Sequence, residues 1–150
     1  MSFHPAGTLR EGAHHHVLRI YYEDTDAGGV VYHSVYLNYF ERTRSEWLRS
    51  VGLDQRALHA EERIQFVVVD MNVRWIRPAR YDDLLTVTSV PIEVRGASLR
   101  FLQVAWRGDE EIARAEVRVA ALDAATLKPM RLPAAVLARL QGTGTPAHSP

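Results

Sequence analysis

Asp24-Thr25-Asp26-Ala27-Gly28-Gly29 is the segment of this chain whose residue types and spacing fit chemistry. It lies inside a stretch of thirteen residues, Tyr21 to His33, that adds Glu23 and runs into a helix expected to begin near His33. Glycines such as Gly29 let the backbone approach a ligand closely. The first turn of a helix presents unpaired N–H groups and the positive end of its dipole. A carbonyl oxygen placed there is polarised. A carboxylate facing the same spot can attack the carbonyl carbon, or activate water against it, while the amides stabilise the developing oxyanion; a thioester is a suitable target.

The same residues have plainer uses. Asp24 and Asp26 can simply cap backbone amides in a strand-to-helix turn, and spacing alone leaves both readings open. Glu23, Asp24, Asp26 and His33 are oxygen and nitrogen ligand types. Their spacing matches neither a Glu/His helix motif nor a calcium loop, so no metal and no cofactor is expected. The His33 ring titrates near neutral pH and offers an acid or base, but a helix start disfavours its charged form, so the amide role is preferred. His14-His15-His16 reads as a flank, because neighbours in an extended segment point to alternate sides and no partner ligands are apparent.

Positioning these groups requires a strand before them and a helix after them. Val17-Leu18-Arg19-Ile20-Tyr21-Tyr22 has strand character, and the Asp/Gly run ends it. Tyr36, Phe40, Thr43, Trp47 and Val51 recur on one helical face, widened by Leu37 and Leu48, with Gly52 as the stop. Tyr36, Phe40 and Trp47 are read as core on this ground. Leu53 to Glu62 forms a short second helix capped by Asp54. Strands follow at about 65–77, 83–94, 98–108 and 110–122, broken at Arg77-Pro78-Ala79-Arg80, Arg95-Gly96-Ala97 and Gly108-Asp109. The last three follow closely enough to be an antiparallel meander, and Pro133 to Leu140 adds a terminal helical turn. One long helix and about five antiparallel strands predict an α+β domain whose sheet curls over the helix. Such a sheet leaves edges and a face to cover, so at least a dimer is expected.

Composition narrows the class. The 150 residues suit one domain, read as residues 14–141 between a loose segment at 1–13 and a loose tail at 142–150. The absence of cysteine excludes disulfides, thiol nucleophiles and Cys-containing zinc sites. The formal net charge is zero and no block of like charges occurs, so no nucleic-acid partner is expected. No apolar run has the length of a transmembrane segment or the form of a signal peptide, which leads to a cytoplasmic expectation.

The run Tyr22-Glu23-Asp24-Thr25-Asp26-Ala27-Gly28-Gly29-Val30-Val31-Tyr32-His33, continuing to Tyr36 and Phe40-Glu41-Arg42, resembles acyl-CoA thioesterases of the 4-hydroxybenzoyl-CoA thioesterase family. It is most similar to the YbgC-like branch associated with the Tol-Pal system. The resemblance extends through Pro78-Ala79-Arg80-Tyr81-Asp82-Asp83 and Arg95-Gly96-Ala97-Ser98-Leu99 to Lys128-Pro129. It implies a hotdog fold, an acyl-CoA substrate, and a homodimer or homotetramer with active sites at the subunit interface. It also implies that the catalytic carboxylate falls on Asp26, with Asp24 in support, and that the amide receiving the thioester oxygen falls at His33 beside Gly29. Arg95 and Ser98 fall where the family contacts coenzyme A. Association with Tol-Pal proteins or phospholipid synthesis would follow from resemblance alone.

Two competing functions remain at this level. A hotdog dehydratase or hydratase would need an acid/base pair, for which His33 with Glu41 or Glu46 is available. A non-catalytic acyl-CoA-binding or envelope-associated scaffold would need no Asp26. Arg74, Arg77, Arg80, Arg95 and Arg100 invite phosphate contacts, although an exposed Arg at a strand end is ordinarily just solvated. Acyl chain length is not legible, because pocket depth depends on which side chains meet in space.

Overall fold

The structure, a computed structural model, describes residues 7–10 and 12–143. The chain runs β1 (Thr8–Arg10), β2 (Ala13–Arg19), α1 (Val35–Ser50), α2 (Gln55–Ala57), β3 (Ile64–Trp75), β4 (Leu84–Arg95), β5 (Ser98–Arg107), β6 (Glu110–Asp123) and α3 (Ala134–Thr143). The strands form one antiparallel sheet in the order β1-β2-β4-β5-β6-β3. The predicted α+β arrangement and the meander over β4, β5 and β6 are present.

The predicted helical face is the face that is buried: Phe40, Thr43 and Trp47 are fully covered, and Tyr36, Leu48 and Val51 nearly so. Trp47 meets Phe101 of β5 edge-on, with ring centroids 5.1 Å apart. That contact locks α1 onto the sheet, and truncating a buried Trp of this kind costs about 3–5 kcal/mol. The sheet answers with alternation. Leu85, Val87, Ser89 and Pro91 of β4 face inward, as do Ala113, Ala115, Val117, Val119 and Ala121 of β6. Gly52 ends α1 at φ +86°: its amide donates to Arg49 O at 3.0 Å and the Leu53 amide to Leu48 O at 2.9 Å, a pairing that satisfies the last carbonyls.

Several boundaries differ from the sequence reading. The first long strand is Ala13–Arg19 instead of Val17–Tyr22, because Asp24 accepts the Tyr21 amide at 2.8 Å and folds Tyr22–Asp24 into a 3-10 turn. The His14–His16 triplet is therefore central to β2 and not a flank. His14 and His16 share the inward face with rings 6.2 Å apart, and His15 lies on the other side near Arg10. Thr8–Arg10, read as part of the loose segment, pairs with β2 as a sixth strand. Helix α1 starts at Val35, two residues after His33. The second helix is capped by Asp54 as expected, with Oδ1 accepting the Arg56 amide at 2.9 Å, but it widens to a π-helical turn at Leu58–Glu62. The terminal helix reaches Thr143, inside the span read as a loose tail. The expectations for residues 1–6, 11 and 144–150 lie outside the described residues.

Candidate active site

The loop between β2 and α1 is held by its own side chains. Asp26 Oδ1 accepts the Gly28 amide at 2.8 Å and the Val30 amide at 3.4 Å, while the Asp26 amide donates to Val30 O at 2.9 Å. These bonds fix the carboxylate's orientation and leave Oδ2 without a hydrogen bond within the described residues. Gly28 gives the carboxylate room, since a Cβ there would stand 3.3 Å from Asp26 Oδ1. Gly29 is needed for a different reason: its φ is +81° and open space surrounds the position a Cβ would take. Asp26 itself is exposed.

Asp24 is used structurally. Its Oδ2 accepts the Tyr21 amide and its carbonyl accepts the Tyr32 amide at 3.0 Å, closing the loop on itself. The buried Tyr39 hydroxyl lies beside the Asp24 carboxylate without meeting hydrogen-bond geometry to it. Burial first, and that carboxylate next, push the Tyr39 hydroxyl well above the usual tyrosine range.

The loop rests on the segment before β4. The Val31 amide donates to Ala79 O at 2.8 Å, and Val30 bridges Arg80. That segment is pinned in turn by Asp83, whose Oδ2 accepts the Arg80 amide and Arg107 Nη1, each at 2.8 Å. Arg107 Nη1 also donates to Pro78 O at 3.1 Å, and the Asp83 carboxylate holds its guanidinium above the usual arginine range.

At the helix start, Trp75 Nε1–H donates to His33 O at 3.0 Å. The His33 peptide is thereby fixed, and its N–H donates no hydrogen bond within the described residues. Ser34, the N-cap, makes no side-chain capping bond. A cleft of about 260 Å³ adjoins this point, lined by Val31, His33, Tyr36, Trp75, Ile76 and Pro78 among others. The His33 ring is exposed, stands edge-on to Trp75 at 5.9 Å and packs by Tyr32 at 4.3 Å. Among the described residues no carboxylate pairs with it.

Thus Asp26, Gly29 and the His33 amide belong to one braced loop. Arg95 and Ser98 do not join them within a chain. They flank the Gly96-Ala97 turn at the far end of β4, whose twelve residues span roughly 35 Å at about 3.3 Å per residue. Arg95 is ion-paired with Glu93, and Arg100 contacts the same carboxylate at 3.4 Å. Glu41 and Glu46, the candidate partners of a His33 ring acid/base pair, are engaged with Ser45 and Arg49 further along α1. Among the described residues no group of three or more His, Cys, Asp and Glu side chains is placed to hold a metal ion. Trp75, Asp83 and Arg107 were not singled out as functional from the sequence. The signal available was Asp83's place in the Pro78–Asp83 run that carries the resemblance, while its pairing with Arg107 joins residues far apart in the chain.

Comparison with known proteins shows the family. Residues 21–140 match the Thioesterase-like superfamily. The chain is 43% identical over 121 residues to the acyl-CoA thioesterase YbgC of Haemophilus influenzae, covering 81% of this chain and 89% of that one. It is 43% identical over 125 residues to the acyl-CoA thioester hydrolase YbgC of Escherichia coli O6:H1, covering 83% and 92%. The crystal structure of a probable thioesterase from Bartonella henselae superposes with a TM-score of 0.77 at 38% identity, covering 81% of this chain and 99% of that one. The fold is the hotdog fold, and the chain belongs to the thioesterase-like superfamily, within its YbgC-like branch.

Proposed function

We propose that this protein hydrolyses the thioester of an acyl-CoA to the free acid and coenzyme A, with Asp26 as the reacting carboxylate and the His33 amide as the carbonyl-polarising donor. The observation that carries the proposal is the division of labour at Asp26: Oδ1 is held by two backbone amides, and Oδ2 is left for chemistry on the loop that ends at the unengaged His33 N–H. Oδ2 either takes a proton from water as it attacks the thioester carbon or attacks that carbon itself. In both routes negative charge builds on the carbonyl oxygen, where the His33 amide and the start of α1 stabilise it. The carbon–sulfur bond then breaks and the thiolate takes up a proton; in the second route water next hydrolyses the acyl anhydride formed on Asp26, releasing the free acid and restoring the carboxylate. Release of free thiol from a panel of acyl-CoAs in the presence of a chelator tests this reading. Activity that vanishes with chelation and returns with a divalent ion would refute a carboxylate mechanism free of metal.

The far position of Arg95 and Ser98 supports a site completed by a second subunit. Any contact of this turn with coenzyme A bound at Asp26 must come from another copy. Strand β3 is a sheet edge carrying exposed Val68, Val69 and Trp75, the apolar edge that association covers. Sedimentation as a dimer or tetramer is expected, and a fully active monomer would count against the shared site. No helix of the described residues is long and apolar enough to cross a membrane. A cytoplasmic location belongs to the same proposal, since coenzyme A thioesters are intracellular. Association with Tol-Pal proteins or phospholipid synthesis rests on family resemblance, and co-purification tests it.

A further inference from the structure

Arg44 lies on α1 under the sheet, 9% exposed, and its Nη1 donates to Gln103 Oε1 at 2.9 Å. Gln103 is itself fully used: its amide nitrogen donates to Phe40 O at 2.9 Å and to Thr43 Oγ1 and Ser89 Oγ at 2.8 Å. Arg44 is not. A guanidinium has five donors, and buried donors ordinarily find acceptors. Within the described residues Arg44 makes this one hydrogen bond and no ion pair. Burial disfavours its charge, and the one carboxylate that offsets this, Glu41, stays beyond ion-pair distance with its Oε2 accepting Ser45 Oγ–H at 3.1 Å.

Arg44 lines a cavity of about 120 Å³ between α1, the start of α2 and the sheet. Glu41 and Ser45 line it beside Arg44, and Leu48, Phe66 and Phe101 give it an apolar wall. Cavities of about this size hold a small organic molecule. A buried cation with spare donors next to an aliphatic and aromatic wall is complementary to one ligand class, a carboxylate with an apolar tail. Helical rise places Arg44 roughly 15 Å along α1 from His33, so the cavity is distinct from the cleft at the reacting loop.

We propose that this cavity is a second binding site, for a small aliphatic carboxylic acid, with the carboxylate on the Arg44 guanidinium and the chain against Leu48, Phe66 and Phe101. The geometry stands without the thioesterase reading, although that reading makes the ligand the same class as the product, so the site would sense released acid. Glu41 gives the proposal a second sign: it shares the cavity rim and opposes an incoming anion, so removing its charge strengthens binding.

Calorimetric titration of the full chain with hexanoate, and with hexan-1-ol as the uncharged control, tests this. Hexanoate is expected to bind at least about tenfold more tightly than the alcohol, the scale of a charge-assisted hydrogen bond. Arg44→Met should abolish that preference and Arg44→Lys should reduce it, since lysine keeps the charge without the planar fork. Glu41→Gln should tighten hexanoate severalfold and leave the alcohol unchanged. Asp26→Asn should bind hexanoate as the unmodified protein does. Equal binding of acid and alcohol, indifference to Arg44→Lys, weaker binding in Glu41→Gln, or a clear change of hexanoate binding in Asp26→Asn would each overturn the assignment, the last by placing the acid at the reacting loop. Should Arg44→Met fail to fold, Arg44→Lys and Glu41→Gln carry the test.

Discussion

Asp26 and Asp123 each cap a turn with one carboxylate oxygen, in two parts of the molecule, and occupy different chemical positions. Each offers Oδ1 to two backbone amides further along the chain: Asp26 to Gly28 and Val30, Asp123 to Ala125 and Thr126 at 2.8 and 3.1 Å. Asp123 also faces Arg63, whose Nη2 stands 3.5 Å away. The Thr126 and Ala125 amides, and then this guanidinium, hold the Asp123 carboxyl below its ordinary value. Asp26 has no cation within ion-pair distance among the described residues, and its loop ends at the unengaged His33 amide. Capping therefore does not exclude the proposed chemistry. The turn fixes a carboxylate's direction in both places, and Asp123 differs in having a cation beside it, which lowers a carboxylate's basicity.

The largest effect that tests this contrast is on turnover. Asp26→Asn keeps the size and much of the capping but removes the charge, and kcat should fall by about a hundred- to ten-thousand-fold, the range for a positioned base. Asp123→Asn should leave kcat unchanged, and Asp24→Asn should cost much less than Asp26→Asn. Steady-state thiol release from one acyl-CoA, with kcat and KM separated, measures all three. A folded Asp26→Asn protein with near-normal turnover beside an inactive Asp24→Asn would reverse the roles of the two carboxylates. Two active variants would remove the carboxylate reading of this loop.

How much of this was legible differs between helix and loop. The α1 face from Tyr36 to Val51 could be read because burial repeats at helical spacing, and every residue of that face except the half-buried Leu37 is buried. Tyr39 and Arg44, also buried, were not legible: one sits off the main stripe, and the other is a charged residue kept inside by Gln103, a partner 59 positions away. The Asp26 motif was legible as a turn, and its local spacing left capping and catalysis equally open. What supports the catalytic proposal is tertiary and was not legible: Trp75 on the His33 carbonyl, Ala79 under Val31, and Asp83 with Arg107 beneath both. The first strand was misplaced because Tyr21 and Tyr22 have strand propensity, and the Asp24 side chain overrides it.

Trp75 supplies a smaller effect on the same contrast. Among the described residues its indole N–H is the one side-chain donor that fixes the His33 peptide from outside the loop, whereas the Asp123 turn is braced by Arg63, whose carbonyl accepts the Ala124 amide at 2.8 Å. Trp75→Phe keeps most of the apolar contact and loses that bond, which is worth about 0.5–1.5 kcal/mol when neutral. Turnover should fall by roughly two- to tenfold with KM less changed, because a misaligned amide weakens the transition state more than the ground state. A rise in KM alone would mean that the indole serves binding and not the developing oxyanion.

The smallest expected effect is on stability and isolates Asp123. Its carboxyl is held below the ordinary value of 3.8 in the folded chain, so between the folded and unfolded values the unfolded chain binds more protons. The stabilisation from its charge is fully present above about pH 4 and is lost as pH falls through the folded value. Asn caps amides about as well as Asp, so Asp123→Asn removes the charge and keeps the turn. The variant should then be slightly less stable than the parent at neutral pH, and the gap should close below about pH 4. Urea unfolding of both proteins at neutral pH, and at several values from about pH 5 to 3, measures it. A gap that stays constant across this range would show that Arg63 and the two amides do not act on the charge of Asp123, and the distinction drawn between the two turns would then lose its electrostatic half.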